Sequence, residues 1–295
     1  MPRIAYVNGA YVPLRDAAVS IEDRGYQFAD GVYEVAVVLN GRLLDWDAHL
    51  ARLRRSLAEL SIAEPMSPQT LDLVARRLLA KNRVQEATLY IQVTRGVARR
   101  DHGFPADTKP ALVMTVRPFD MSLRVRQQAT GIKVVTQPEQ RWARRDIKTV
   151  SLLPNVLAKQ AARQAGAFEA WLVEEDGTVS EGASTNAWIV EADGTLVTHP
   201  ADTHILGGVM RQTLIGLARA EGMKVEERPF TLKDAGAAAE AFVTSTTAPC
   251  LGIVTIDGRP VGQGAPGPAT LRLGRVLWGE IERQTGYRAA TIVKG

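Results

Sequence analysis

The stretch Val32-Tyr33-Glu34-Val35-Ala36-Val37-Val38-Leu39-Asn40-Gly41-Arg42-Leu43-Leu44 sets the reading of this chain. Valine dominates its first eight residues, and β-branched side chains suit a pleated, buried strand. Asn40-Gly41 supplies the two positive φ angles of a tight turn, so Arg42–Leu44 is expected to return antiparallel. Directly afterwards Leu50, Leu53, Leu57 and Leu60 recur at helical spacing, predicting a helix over Asp47–Leu60. A hairpin leading into an amphipathic helix, without a strand–helix–strand crossover, points to an α+β fold.

The pattern extends in both directions. Ile4–Val7, Asn8-Gly9 and Ala10–Leu14 form a second hairpin of the same kind. Ser67-Pro68 is an N-cap and first-turn pair for a helix carrying Leu71, Val74, Leu78 and Leu79. Strands are expected at Ala87–Thr94 and Ala111–Val116. The polar stretch Arg117–Gly131 reads as a linker, giving a small N-terminal domain over 1–117, a linker over 118–131 and a larger domain over 132–295. In the second half, strands are expected at Ile132–Thr136, Ala170–Val173, Asn186–Val190, Ala241–Ser245 and Gly252–Ile256. Helices are expected at Leu152–Gln164, Val209–Ala220 and Thr270–Gln284. Hairpin turns outnumber crossovers, so both sheets should be largely antiparallel.

Composition excludes several classes. The 295 residues are 45% apolar and 23% charged, as in an ordinary globular protein. A net charge of +4 without a polybasic block does not indicate nucleic-acid binding. Cys250 is the single cysteine, which leaves no intrachain disulfide and no support for a cysteine metal site. The N-terminus shows no hydrophobic export segment, and no apolar run approaches the ~20 residues of a membrane span. A cytoplasmic protein is the expectation.

Gly262-Gln263-Gly264-Ala265-Pro266-Gly267 matches the dinucleotide fingerprint in form only. The chain ends before a strand–helix–strand unit could follow, so a loop before a helix is the better reading. His49, His102, His199 and His204 are scattered, and each reads as structural. Lys148, beside Arg144 and Arg145, reads on its own as a surface charge. Two segments suit an anion: Thr244-Ser245-Thr246-Thr247 after a strand, and Gly207-Gly208 at the start of the Val209 helix. A polar loop and a plain helix start are the plainer explanation of both. The residues by themselves stop at an α+β protein with two candidate phosphate loops.

Seven segments taken together resemble the fold type IV family of pyridoxal-phosphate enzymes, and within it the D-amino acid aminotransferases. They are Arg24-Gly25-Tyr26-Gln27-Phe28-Ala29-Asp30-Gly31-Val32-Tyr33-Glu34, His49-Leu50-Ala51-Arg52-Leu53, Arg100-Asp101-His102, Asp146-Ile147-Lys148, Ser180-Glu181-Gly182-Ala183-Ser184-Thr185-Asn186, Ile205-Leu206-Gly207-Gly208-Val209 and Thr244-Ser245-Thr246-Thr247. They fall in the family's order and span nearly the whole chain.

The resemblance implies a cofactor, pyridoxal 5'-phosphate, lying at a domain and dimer interface of a homodimer. It makes Lys148 the catalytic lysine that carries the cofactor and shuttles the substrate's α-proton, which requires it to be neutral for part of the cycle. Glu181 is implied as the carboxylate facing the pyridine nitrogen. Arg52 matches the phosphate clamp. Gly208, Val209 and Thr246 are expected to complete the phosphate cup, Leu206 to pack on the ring, and Ser184, Thr185 and Asn186 to give supporting contacts.

Tyr33, Arg100 and His102 match the residues that trap the substrate α-carboxylate, the last two reaching across from the partner subunit. The implied reaction moves an amino group between D-alanine-like amino acids and 2-oxo acids such as 2-oxoglutarate, through pyridoxamine phosphate. An L-branched-chain or (R)-amine aminotransferase of the same fold is the alternative. Three positions depart from the pattern: Met210 stands where a threonine is common, and Ala183 and Ala248 stand where serines are. Weaker side-chain contacts to the phosphate are expected from these departures.

Overall fold

The computed structural model describes residues 3–289. Met1 and Pro2, within the stretch searched for an export segment, and residues 290–295, the end of the expected C-terminal domain, lie outside the described residues. Contacts divide the chain into two compact units: Met1–Asp120 with Ile147–Ser151, and Met121–Asp146 with Leu152–Gly295.

The first unit carries β1 (Ile4–Val7), β2 (Ala10–Pro13), a short helix α1 (Arg24–Phe28), β3 (Gly31–Leu39), β4 (Arg42–Leu43), α2 (Trp46–Glu59), α3 (Pro68–Asn82), β5 (Ala87–Thr94) and β6 (Ala111–Pro118). Among the described residues these strands form one antiparallel sheet in the order β2-β1-β6-β5-β3-β4. Both expected hairpins are present. Asn8 and Gly9 have φ of 46° and 102°, and Asn40 and Gly41 have φ of 50° and 69°. Ser67 caps α3 by accepting the Thr70 N–H at 3.2 Å. Leu53 and Leu57 of α2 and Leu71, Ala75 and Leu78 of α3 share one core with Val38, Leu89, Ile91 and Met114 of the sheet.

Ile147–Ser151 belongs to this unit although the chain has by then built part of the second. Thr149 bridges Val32 antiparallel, the Val150 N–H donates to the Gly31 carbonyl at 3.1 Å, and Ile147 is buried in the first core. A boundary drawn once along the sequence could not anticipate this return.

The second unit carries α4 (Ser122–Thr130), β7 (Ile132–Pro138), α5 (Leu153–Gln164), β8 (Glu169–Val173), β9 (Val179–Gly182), β10 (Asn186–Val190), β11 (Leu196–Thr198), α6 (Val209–Ala220), β12 (Val225–Glu227), α7 (Leu232–Ala237), β13 (Glu240–Ser245), β14 (Ala248–Ile256), β15 (Arg259–Pro260) and α8 (Pro268–Thr285). The stretch expected as a linker, 118–131, thus holds α4. Val125 is buried there, Gln128 accepts the Trp278 Nε1–H at 2.6 Å, and Arg124 Nε–H donates to the Thr247 carbonyl at 2.9 Å. The polar sequence of α4 hides this narrow inner face.

The described strands of the second unit run β12-β11-β10-β13-β14-β7-β8-β9, with β15 on β14. Three pairs are parallel, β11 with β12, β14 with β7 and β7 with β8, so the sheet is more mixed than the hairpin turns suggest. The β7–β8 pair is joined through α5, the crossover a parallel pair requires. The fold is α+β with two sheets. The glycine-rich stretch at 262–267 is a loop leading into α8. The Glu240 carboxylate occupies that helix's N-terminus, accepting the N–H groups of Ala269 and Thr270 at 2.9 and 2.8 Å.

Candidate active site

In the first unit the site is built on β3, where Tyr33 and Glu34 point to opposite faces because strand side chains alternate. The Tyr33 ring stacks on Tyr90, and the Lys148 Nζ lies 4.3 Å from its centroid. Main-chain bonds fix this pairing: the Tyr33 N–H donates to the Lys148 carbonyl at 3.0 Å, and the Lys148 N–H donates to Ser56 Oγ at 3.3 Å. Burial, with Tyr33 alongside, pushes the Tyr90 hydroxyl up to about 12, so it stays a neutral donor to Gln92 Oε1. Lys148 is half-buried, where the bare sequence read it as a surface charge.

On the other face Glu34 is gripped by α2. Arg52 donates twice, Nε to Oε1 at 2.7 Å and Nη2 to Oε2 at 2.9 Å, and His49 Nδ1 lies 2.8 Å from Oε2. Burial alone would raise the Glu34 carboxyl, but Arg52 and then His49 outweigh it and hold it down at about 2. His49, Arg52 and Ser56 follow at i, i+3 and i+7, so they form one polar face between the leucines of α2.

Arg100 and His102 sit on the exposed loop between β5 and β6. The Arg100 guanidinium lies 5.0 Å from the Phe28 centroid, and the His102 ring lies 5.4 Å from the same ring. Beneath the loop the buried Arg24 donates Nη1 to the Asp101 carbonyl at 2.6 Å.

In the second unit Glu181, on β9, is buried. It accepts Arg141 Nη1 at 2.6 Å, Asn186 Nδ2 at 2.9 Å and the Leu206 N–H at 3.2 Å. Arg141 also grips Glu139, Nη2 to Oε2 at 2.6 Å, and Ser180 donates to the same oxygen at 2.7 Å. Burial pushes the Glu181 carboxyl above its ordinary value, and Arg141 acts against that rise. Asn186 also donates to the Leu206 carbonyl at 2.9 Å, which ties the half-buried Leu206 to the same cluster.

Gly208 is the N-cap of α6, and no side chain caps that end. A Cβ on Gly208 would stand 2.0 Å from Asn186 Oδ1, so only glycine lets the helix start this close to the cluster. Thr246 lies with Thr247 in the turn between β13 and β14, whereas the Thr244 hydroxyl is taken by Trp188 Nε1 at 2.9 Å. Thr185 is buried, and its hydroxyl has no partner among the described residues.

Ser184 is not part of the Glu181 cluster. It bonds Glu169 at 2.6 Å, beside Lys159, whose Nζ donates to the Phe168 carbonyl and to Glu169 at 2.6 and 3.1 Å. Met210, Ala183 and Ala248, the departures from the family pattern, are all buried.

The amino-transferase class IV family model matches residues 31–256. This chain belongs to that family. It is 40% identical to the D-alanine aminotransferase of Bacillus licheniformis over 94% of this chain and 97% of that one. The D-alanine aminotransferase of Staphylococcus haemolyticus is 38% identical over 91% and 94%. Among solved structures, the T.th. branched-chain amino acid aminotransferase with pyridoxamine 5'-phosphate superposes with a TM-score of 0.87 at 25% identity, covering 98% of this chain and 96% of that one. The Escherichia coli branched-chain aminotransferase, at 24% identity, covers 100% and 98% with a TM-score of 0.86.

Sequence reasoning had passed over several residues of this class IV aminotransferase. Arg141 and Glu139 carried no motif, and their link to Glu181 spans 40 residues or more. Glu34 stands out only as part of a family segment, and His49 reads as a structural histidine. The signal for His49 is a polar stripe at helical spacing with Arg52 and Ser56 among the α2 leucines.

Proposed function

We infer that the chain transfers amino groups between D-amino acids, D-alanine foremost, and 2-oxo acids, with pyridoxal 5'-phosphate as cofactor. The extent of the match to D-alanine aminotransferases carries this reading. The residues fit the cofactor: a buried carboxylate suits a protonated ring nitrogen, and the uncapped α6 N-terminus suits a phosphate. When bound, pyridoxal phosphate supplies a carbonyl carbon for the amine and a cationic ring that draws electrons from the substrate's α-carbon.

Each residue then has a task. Lys148 Nζ would hold the cofactor covalently and, once the substrate amine has displaced it, would take and return the α-proton. Glu181 would hold a proton on the ring nitrogen, and Arg141 opposes the rise that burial imposes on the Glu181 carboxyl. Gly208, Val209, Thr246 and Arg52 bind the phosphate, with Glu34 and His49 holding Arg52 in place. Leu206 packs on the ring, Asn186 and Thr185 support it, and Tyr33 with Arg100 and His102 binds the substrate carboxylate. Ser184 contributes through Glu169 and the β9–β10 turn.

We assign Arg100 and His102 a role in the partner's site of a homodimer. Mixing inactive Lys148→Ala and Arg100→Ala chains then restores activity, because one of two sites escapes both lesions; no rescue after verified subunit exchange contradicts this. For the reaction itself, the purified enzyme is expected to transaminate D-alanine with 2-oxoglutarate and to leave L-leucine and (R)-amines essentially untouched. A preference for L-leucine would overturn the reading.

A further inference from the structure

The carboxylate-binding loop is held by a buried framework that the transamination chemistry itself does not require. Arg24 is 3% exposed and Arg95 6% exposed, and both are tied to one carboxylate, Asp30. Arg24 Nε donates to Asp30 Oδ2 at 2.8 Å. Arg95 donates Nε to the same oxygen at 2.7 Å and Nη2 to Oδ1 at 3.1 Å. Arg95 is fixed in turn by the carbonyls of Ser61 and Leu60 at 3.0 and 2.8 Å. With its Nε anchored, Arg24 extends its other end under the loop, to the Asp101 carbonyl at 2.6 Å and, at 3.5 Å, the His102 carbonyl. The Phe28 ring collects Arg24 at 4.8 Å, Arg100 at 5.0 Å and His102 at 5.4 Å. Arg95 stacks on Phe104, at the far end of the same loop, at 3.6 Å. Gly96 starts the loop at φ 103°, where a Cβ would meet the Lys109 carbonyl at 2.0 Å, so its base is fixed as well.

We propose that Arg24, anchored by the Asp30–Arg95 pair and seated on Phe28, is the positioning residue that sets the Arg100–His102 pair for the substrate carboxylate. The Arg24 side chain hydrogen-bonds main-chain carbonyls of the loop. It therefore acts through the presentation of its neighbours, and its effect falls on carboxylate recognition. A guanidinium bonds Asp30 and the loop carbonyl at once because its donors form a rigid fork, which a lysine ammonium cannot reproduce. This inference rests on the carboxylate-binding reading of Arg100 and His102, and the test separates the two.

The experiment compares holoenzymes carrying Arg24→Lys, Arg100→Ala and both. Arg24→Lys keeps a cation beside Asp30. It is expected to raise KM for D-alanine at least tenfold and to weaken inhibition by propionate, a carboxylate without an amine, in proportion. Its kcat should stay within about threefold, with cofactor absorbance and melting temperature retained. In the Arg100→Ala background it should add little further loss, since the loop then has nothing left to position. Phe28→Leu, which removes the platform but no charge, should show the same split and serves if Arg24→Lys does not fold. An unchanged KM in Arg24→Lys and Phe28→Leu, with a raised KM in Arg100→Ala, overturns the positioning role and leaves the carboxylate reading standing. A fall in kcat or melting temperature without a change in KM or propionate inhibition likewise makes Arg24 merely structural. An unchanged KM in Arg100→Ala itself removes the reading beneath both.

Discussion

At the residue scale each unit holds a buried carboxylate gripped by an arginine, Glu34 by Arg52 and Glu181 by Arg141. Glu34 has its carboxyl held at about 2, below the ordinary 4.5, so it contributes stability above pH 4.5 that is lost as pH falls toward 2. The shift corresponds to about 3 kcal/mol. Denaturant unfolding of the native chain should therefore lose about that much across the acid range. In Glu34→Gln this part of the loss should be absent, on a lower plateau near neutrality because the buried His49 and half-buried Arg52 are left without their anion. An identical acid dependence in the variant would show that Glu34 is not the linked group. Glu181 is the opposite case: burial already favours its neutral form, and Arg141 resists that. Arg141→Met should leave the carboxyl protonated to higher pH, lower kcat near neutrality by at least tenfold, about 1.4 kcal/mol of barrier, and move the acid limb of the rate profile upward. A profile with an unmoved acid limb would refute that coupling. None of these pairings was legible in the sequence, because charge partners carry no periodicity and only the fold brings Arg141 to Glu181.

At the scale of elements the sequence was most informative where local chemistry decides. Asn-Gly fixed the two hairpins, Ser67-Pro68 the start of α3, and the leucine spacing α2. It was least informative where tertiary contacts decide. The helix α1 is a single turn between loops, α4 buries only Val125 and Gln128 of a polar sequence, and the parallel pairing of β7 with β8 depends on where α5 packs. The α6 N-terminus joins the two kinds, since its boundaries follow from sequence but its closeness to Asn186 does not. Gly208→Ala must displace Asn186, which holds both Glu181 and Leu206. Cofactor affinity is expected to fall at least tenfold, about 1.4 kcal/mol, with the rest of the fold intact. A fluorescence titration giving an unchanged dissociation constant would mean that the helix start does not bear on the cofactor.

At the scale of the whole molecule, the notable feature is that the chain leaves the first unit, enters the second and returns with Ile147–Ser151 before leaving again. Lys148 is thereby built into the first unit, on Tyr33 and Ser56, while Glu181 belongs to the second. Sequence order could supply both residues through their family motifs, but not the unit that holds each. The central proposal is that the cofactor is carried on Lys148 rather than on Lys159, which is committed to Glu169 and the Phe168 carbonyl. Borohydride reduction of the holoenzyme followed by peptide mass mapping tests it directly. The account predicts one phosphopyridoxyl group per chain, on Lys148, and none in Lys148→Ala; a label on Lys159, or no label on a fully active enzyme, would contradict it.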